Sequence, residues 1–529
     1  MAESTTRAAV PATRVSTGER AQPGRAQPGR AQPGRAQPGR AQPGQVVERD
    51  LLIGGKWLPA SGGTYVVLNP ATEEVVGHAP ESTVEDAEAA VQAASDALPA
   101  WAATPLERRL ELMAKAAGAI RERARELLPL VIAETGATFS VGSRMQVPVA
   151  ADRFERYSRD PRPVLQRALP AQVVPSTPLA PGGLVSAAVL RQPVGVVACI
   201  TSYNFPMVNM AGKVAPALAA GNTVVVKPAP QDPLAVVELV RVLDEVGFPP
   251  GVVNLVTASG AGPAEALVTS PAVDMVSFTG STSVGTRIAE AGAHTMKRLL
   301  LELGGKGACI VLDDADIQAA VGCIGSTWSF HSGQICTAPT RAVVHAGVYD
   351  QVVEKLGALA AMLKVGDPTD PSTVVGPLIS AAQRERVERY LAAGRAEGAE
   401  VLSGGGRPPH LDRGYYVEPT LLAGANDMTV AREEIFGPVV VAIRVDDEED
   451  AIAVANDSDF GLYDYVFSAD TARAFGVAKR LRAGHVGVNT AQRNHEAPFG
   501  GFKLSGMGRD GGDYGLEAYS ELQAVVWSS

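Results

Sequence analysis

The apolar residues of this chain change rhythm near residue 195. Ahead of that point β-prone pieces and helical patterns mix, and "LLIGGKWLPA" (51–60) followed by "YVVLNPATEE" (65–74) reads as strand, turn, strand. From Val84 to Leu98, residues Ala87, Ala90, Val91, Ala94 and Leu98 fall on one helical face. Ser82 with Glu85 three positions on has the form of a capping box. A longer amphipathic pattern covers Leu106 to Glu134 and ends near Gly136. The region 162–191, with five prolines, Gly182–Gly183 and the β-prone pieces "AQVVPS" and "LVSAAVLR", predicts a projecting ribbon and not a core.

Beyond residue 195 nearly all-apolar strands alternate with helices. "GVVACI" (195–200), "TVVVKP" (223–228), "VVNLVT" (252–257) and "DMVSFTG" (274–280) are separated by helical patterns through "MAGKVAPALAAG", 233–246 and 262–269. Continuous Val/Ile runs of this kind predict parallel strands covered on both faces. A second series starts at "GACIVLDD" (307–314) and continues through helix 316–330, "TRAVVHAG" (340–347), helix 349–363, "FGPVVVAIRV" (436–445), helix 448–457, "YDYVFSAD" (463–470), helix 471–481 and "HVGVN" (485–489). The fold class is therefore α/β, with two doubly wound parallel-sheet domains and a cleft between them. Such sheets bind ligands at the carboxyl ends of their strands.

Composition narrows the possibilities. A chain of 529 residues, 46% hydrophobic with a mean hydropathy near zero, is long enough for about three globular units. The formal charge of −10 argues against nucleic acid or an anionic membrane as partner. The charge-free stretch Gln192 to Gly212 carries Pro193, Asn204, Pro206 and Asn209 and reads as buried soluble structure. Four cysteines (Cys199, Cys309, Cys323, Cys336) without a CxxC pair give neither a disulfide framework nor a metal site, and fit a reduced cytoplasm. In the first 45 residues Ala-Gln-Pro-Gly recurs five times from Ala21 to Gly44, each copy preceded by arginine. Pro and Gly in every repeat forbid a helical or strand face, so a disordered basic tail is expected.

Cys199, Cys309 and Cys323 sit in apolar element interiors, where a small thiol needs no function. Cys336 instead follows "HSGQI", between a helix and a strand, where backbone donors would lower a thiol's pKa. In "LLLELGGKGACIVL" (299–312) one carboxylate, Glu302, lies in an apolar strand beside Gly304 and Gly305. Such a carboxylate is either salt-bridged for structure or has the raised pKa of a general base. Asn204, just after a buried strand in "TSYNFP", either caps the next helix or donates to an oxyanion. "FTGSTSVGTRIA" (278–289) joins strand to helix through Gly280 and Gly285, which makes either an anion site at a helix N-terminus or a plain tight turn. Lys227 ends an apolar strand, placed for cofactor hydroxyls or phosphate or else snorkelling to solvent. His331, five residues before Cys336, reads as a packing residue.

Together these segments resemble the aldehyde dehydrogenase superfamily from Leu51 to Trp527. "SYNFP" (202–206), "VVVKPAP" (224–230), "FTGSTSVG" (278–285), "LELGGK" (301–306), "SGQIC" (332–336), "EEIFGPV" (433–439), "HVGVN" (485–489) and "PFGGFKLSGMGRDGG" (498–512) occur in that family's order. The resemblance implies a Rossmann-like NAD(P)-binding domain (46–171 and 194–302), a catalytic domain (303–512) and an oligomerisation ribbon (172–193 and 513–529), with residues 1–45 as the tail. It makes Cys336 the nucleophile, Glu302 the base and Asn204 the oxyanion donor. Cofactor contacts would come from Lys227, Gly280, Ser281, Gly285, Glu434, Phe436, Ile200 and Tyr203. The substrate pocket would draw on Phe205, Asn209, Phe330, Ile335, Thr337 and Phe499, with Arg493 and His495 at the mouth. No metal is implied. The implied reaction is oxidation of an aldehyde, aromatic or of medium chain length, to the acid by NAD or NADP, in a homodimer or homotetramer. Two departures from the family stand out: Tyr203 where Trp is usual, and Pro230 where many NAD-preferring members have glutamate, which opens the way to NADP. An acylating enzyme that passes the acyl group to coenzyme A, and a non-catalytic paralogue, are the alternatives; Glu302 argues against the first and the intact set of site residues against the second.

Overall fold

The computed structural model describes residues 47–159 and 165–528; the repeat tail lies outside the described residues. Five parallel strands form the centre of an eight-stranded sheet, in the order Arg298–Glu302, Met275–Thr279, Val196–Ile200, Thr223–Lys227, Val253–Leu255. Antiparallel strands close both edges, Gly506–Met507 on one side and Leu51–Ile53 with Lys56–Leu58 on the other. The chain runs outward from Val196–Ile200 through Thr223–Lys227 to Val253–Leu255, then returns to pair Met275–Thr279 with the other side of Val196–Ile200. That reversal opens a crevice above the carboxyl ends of the two central strands. Every residue of Val196–Ile200 and Thr223–Lys227 is buried, as their unbroken apolar runs require.

A second sheet of seven strands runs Glu400–Ser403, Thr420–Ala423, Val439–Val445, Arg341–His345, Ala308–Val311, Tyr463–Phe467, His485–Val488, all parallel except the first. Between 364 and 435, where the apolar pattern predicts no element, the chain adds helix Ala381–Ala396 and the strands Glu400–Ser403 and Thr420–Ala423. The guanidinium of Arg341 is buried beneath this sheet and donates to the carbonyls of Lys306, Val454 and Ala455 and to the Asn426 side chain.

Three local expectations shift. The first long helix, Val84–Ala102, is capped by Thr83 with Asp86 and not by Ser82 with Glu85. Ser82 is buried, and its hydroxyl accepts the Thr257 N–H at 3.2 Å instead. The pattern from Leu106 to Glu134 is two helices, Leu106–Glu122 and Ala124–Thr135, broken at Arg123, whose guanidinium reaches Glu238 at 2.6 Å. The ribbon begins earlier than residue 172: strand Gln166–Val174 pairs with Gly183–Pro193, which pairs with the terminal strand Ser520–Ser528. Leu169, Val173, Leu184, Leu522, Val526 and Trp527 are exposed on it.

Candidate active site

The crevice gathers residues from both sheets. Glu302, Ile200 and Lys227 each end a parallel strand, and Tyr203 and Asn204 lie in the turn between Val196–Ile200 and helix Pro206–Ala220. Cys336 and Glu434 arrive from the second half of the molecule on two loops that lead into strands Arg341–His345 and Val439–Val445. Glycines make the meeting possible. A Cβ on Gly304 would overlap the Glu434 carboxylate, and one on Gly305 would overlap the Cys336 carbonyl. Gly333 has φ +74° and lies against the Gly437 backbone, so the loop before Cys336 is locked to the loop after Glu434. His331, Ser332 and Phe436 hold φ of 55°, 55° and 58° in these same loops, a cluster of costly backbone that tight surroundings must sustain.

Asn204 is buried and oriented on every side. Its Oδ1 accepts from Ser202 Oγ at 2.9 Å and from Asn209 Nδ2 at 3.3 Å, and its Nδ2 donates one hydrogen to the Gln334 carbonyl at 2.9 Å. The second N–H is left for a ligand. Gln146 Nε2 holds the Asn204 carbonyl at 3.1 Å from a turn of π-helix, Gly142–Gln146. Nothing in the sequence signals Gln146, which lies 58 residues upstream of its partner. Asn209 therefore orients Asn204, besides any part it has in a pocket wall.

Glu302 is 5% exposed and neither carboxylate oxygen has a hydrogen-bond partner. Burial, with Asp510 adding to it, drives its pKa well above the usual carboxylate range; Lys213, Arg493 and Arg509 pull it back. The salt-bridged structural reading of Glu302 fails, because no cation pairs with it among the described residues. The Cys336 thiol is partly exposed, yet burial and then the nearby Glu434 and Glu302 push it up to about 12, against the expectation that backbone donors would lower it. A thiolate beside two carboxyls is unfavourable, and Arg493 with the Cys336 backbone N–H only partly offsets that. A thiol pushed up in this way should hold its proton at neutral pH. Alkylation of Cys336 by iodoacetamide should accelerate by about tenfold per pH unit between pH 7 and 10. A plateau below pH 9 would contradict this.

Glu434 accepts the Gly305 N–H at 2.9 Å, and burial raises its pKa to about 7. Tyr203 packs edge-on against Phe436 with centroids 5.8 Å apart, flanking that carboxylate. Lys227 is buried, with its pKa lowered to about 8 by desolvation. Beside it the Thr201 hydroxyl is buried without a partner. Ser281 is exposed and caps helix Thr282–Gly292. A Cβ on Gly280 would strike the Phe278 ring two residues earlier, and one on Gly285 would strike Leu303, so Gly285 serves close helix–sheet approach. An open helix N-terminus, an orphaned hydroxyl and a lysine at adjoining strand ends fit a ligand with phosphate and ribose groups.

Phe205 stacks on Phe330 at 5.5 Å and packs against Ile335, forming an apolar wall next to Asn204. His331 faces the Phe205 ring at 5.4 Å, and burial lowers its pKa to about 4, so it is a neutral packing residue. Phe499 packs on the same apolar cluster as Cys336, and the Thr337 carbonyl accepts the Tyr465 hydroxyl at 2.9 Å.

Comparison with known proteins agrees with this geometry. The sequence profile of the aldehyde dehydrogenase family matches residues 57–525. A 3-succinoylsemialdehyde-pyridine dehydrogenase of a Pseudomonas species is 41% identical over 90% of this chain and 98% of its own. Among solved structures, the NAD+ complex of an aldehyde dehydrogenase from Bacillus cereus superposes with TM-score 0.85 at 37% identity, over 91% of this chain and 97% of that one. An NADP-dependent enzyme of E. coli does so with TM-score 0.86 at 35% identity, over 91% and 98%. The chain belongs to the aldehyde dehydrogenase family, and it is an oxidoreductase that acts on aldehydes.

Proposed function

We propose that the protein oxidises an aldehyde to the carboxylic acid with NAD or NADP, through an acyl thioester on Cys336 that Glu302 resolves with water. The observation that carries this is the convergence of Cys336, Asn204 and an unpaired, proton-avid Glu302 in one crevice. The partly exposed Cys336 Sγ passes its proton through water to solvent and attacks the carbonyl carbon; the C–S bond forms as the C=O π pair moves to oxygen. The free N–H of Asn204 and the Cys336 backbone N–H receive that oxyanion, where a fixed donor is worth about 10²–10³ in rate. When bound, the nicotinamide supplies an acceptor for the hydride that leaves this carbon. Lys227, Ser281 and Glu434, with Gly280, Gly285, Ile200, Tyr203 and Phe436 around them, would hold it. Glu302 then takes a proton from water, whose oxygen attacks the thioester; the C–S bond breaks and the thiolate leaves. The raised proton affinity of Glu302 suits that task.

Three finer readings accompany it. The exposed apolar ribbon Gln166–Val174, Gly183–Pro193 and Ser520–Ser528 has the character of a subunit contact, supporting a homodimer or homotetramer. All four cysteines are free thiols, which supports a cytoplasmic location, and no helix among the described residues is long and apolar enough to cross a membrane. Pro230 leaves no carboxylate at the usual place to repel a 2′-phosphate, and Lys227 is close by. Equal enzyme assayed with NAD and with NADP should therefore turn over an aldehyde with both. A preference for NAD beyond about a thousandfold, some 4 kcal/mol, would refute dual use.

A further inference from the structure

Two arginine side chains, Arg493 and Arg153, make no hydrogen bond or ion pair among the described residues. Arg493 lies flat over the Phe499 ring at 3.9 Å, and Phe499 packs on the cluster that includes Cys336. It is close enough to both Cys336 and Glu302 to pull each toward its charged form. Arg153, on helix Val147–Arg156, stands within the field of Arg493 and on the same side as Gly511. The Nε of each arginine is buried without a hydrogen bond, and neither forms an ion pair among the described residues.

Most acids nearby are ion-paired elsewhere, and Asp510 pairs with neither arginine. Asp152 and Glu155 are held by Arg121, Glu496 and Asp513 are held by Arg156, and Asp510 accepts the Gly511 N–H at 2.7 Å. Glu302, the remaining carboxyl in reach, makes no hydrogen bond with either arginine. Two like charges within each other's field repel and lose solvation, a cost that an arriving anion reverses. Arginine is the side chain suited to it, since its planar fork binds a carboxylate through two parallel N–H bonds. Phe499 beneath Arg493, and Phe205 stacked on Phe330 near Asn204, supply aromatic surface for an apolar substrate body.

We propose that the preferred substrate is an aldehyde carrying a carboxylate at its far end, a semialdehyde of a dicarboxylic acid, and that Arg493 with Arg153 binds this carboxylate. The inference rests on aldehyde oxidation at Cys336 and replaces the uncharged aromatic or medium-chain aldehyde expected from sequence. Its test compares kcat/KM for 6-oxohexanoate and hexanal, which differ only in the terminal carboxylate. Wild-type enzyme should favour 6-oxohexanoate by about 30-fold or more, roughly 2 kcal/mol. Arg493→Leu should bring the ratio near one and Arg153→Leu should lower it; the ratio is read, since Arg493 also acts on the thiol. A wild-type preference for hexanal, or a ratio unmoved in both variants, overturns the assignment. Calorimetry on Cys336→Ala separates this from the catalytic reading: adipate should bind more tightly than hexanoate, and Arg493→Leu should remove the difference. Equal binding of the two acids overturns the carboxylate site even where turnover is seen. Absent turnover of both aldehydes, with adipate still preferred, the catalytic reading fails and the site stands.

Discussion

Cys336→Ala should lower aldehyde turnover by at least about 10⁴-fold while leaving cofactor binding measurable. The nucleophile's contribution is not shared: removing it from a covalent mechanism typically costs most of the catalytic advantage, because no other group forms the intermediate. The remaining thiols cannot substitute. Cys199, Cys309 and Cys323 are buried in element interiors, whereas Cys336 is partly exposed. The substitution removes one sulfur from a partly exposed loop position, so the fold should persist and the cofactor, held by Lys227, Ser281 and Glu434, should still bind with an unchanged calorimetric Kd. Residual turnover above about 1% of wild type would refute the assignment.

Glu302→Gln should separate the two halves of the reaction. A general base is worth about 10²–10⁴ in the step it serves, and here that step is attack of water on the thioester. Neither carboxylate oxygen makes a hydrogen bond that glutamine would break, so the geometry should survive. Steady-state turnover should fall by about 10³-fold, while the first enzyme equivalent of reduced cofactor still appears as a burst. Loss of the burst together with steady-state turnover would place Glu302 in the earlier step.

Sequence and structure agree where a residue's role depends on its neighbours along the chain. The runs "GVVACI" and "TVVVKP" are apolar because both faces of their strands are covered, and their last residues, Ile200 and Lys227, lie at the crevice as that rule requires. The order of motifs was enough to bring together Cys336, Glu302, Asn204 and Glu434, and the glycines of "LELGGK" and "SGQIC" have their physical account in the close approaches at Gly304, Gly305 and Gly333. What sequence could not carry is whatever depends on distance in space. Gln146 steadies Asn204 from a π-turn, an irregularity with no periodic signature. The Cys336 loop promised backbone donors, but two carboxyls from remote segments set the sign of its shift. The partnerless state of Arg153 and Arg493 follows from where Arg121 and Arg156 direct the local acids. A composition of −10 gives no hint of two unpaired cations at one pocket.

The central claim is that the acyl group passes through the Cys336 sulfur, and intact mass spectrometry of Glu302→Gln quenched after the burst measures it directly. The chain should gain the mass of the aldehyde less two hydrogens, and peptide mapping should place the addition on Cys336. An unmodified chain, a gain equal to the whole aldehyde, or the addition on any other residue would contradict it.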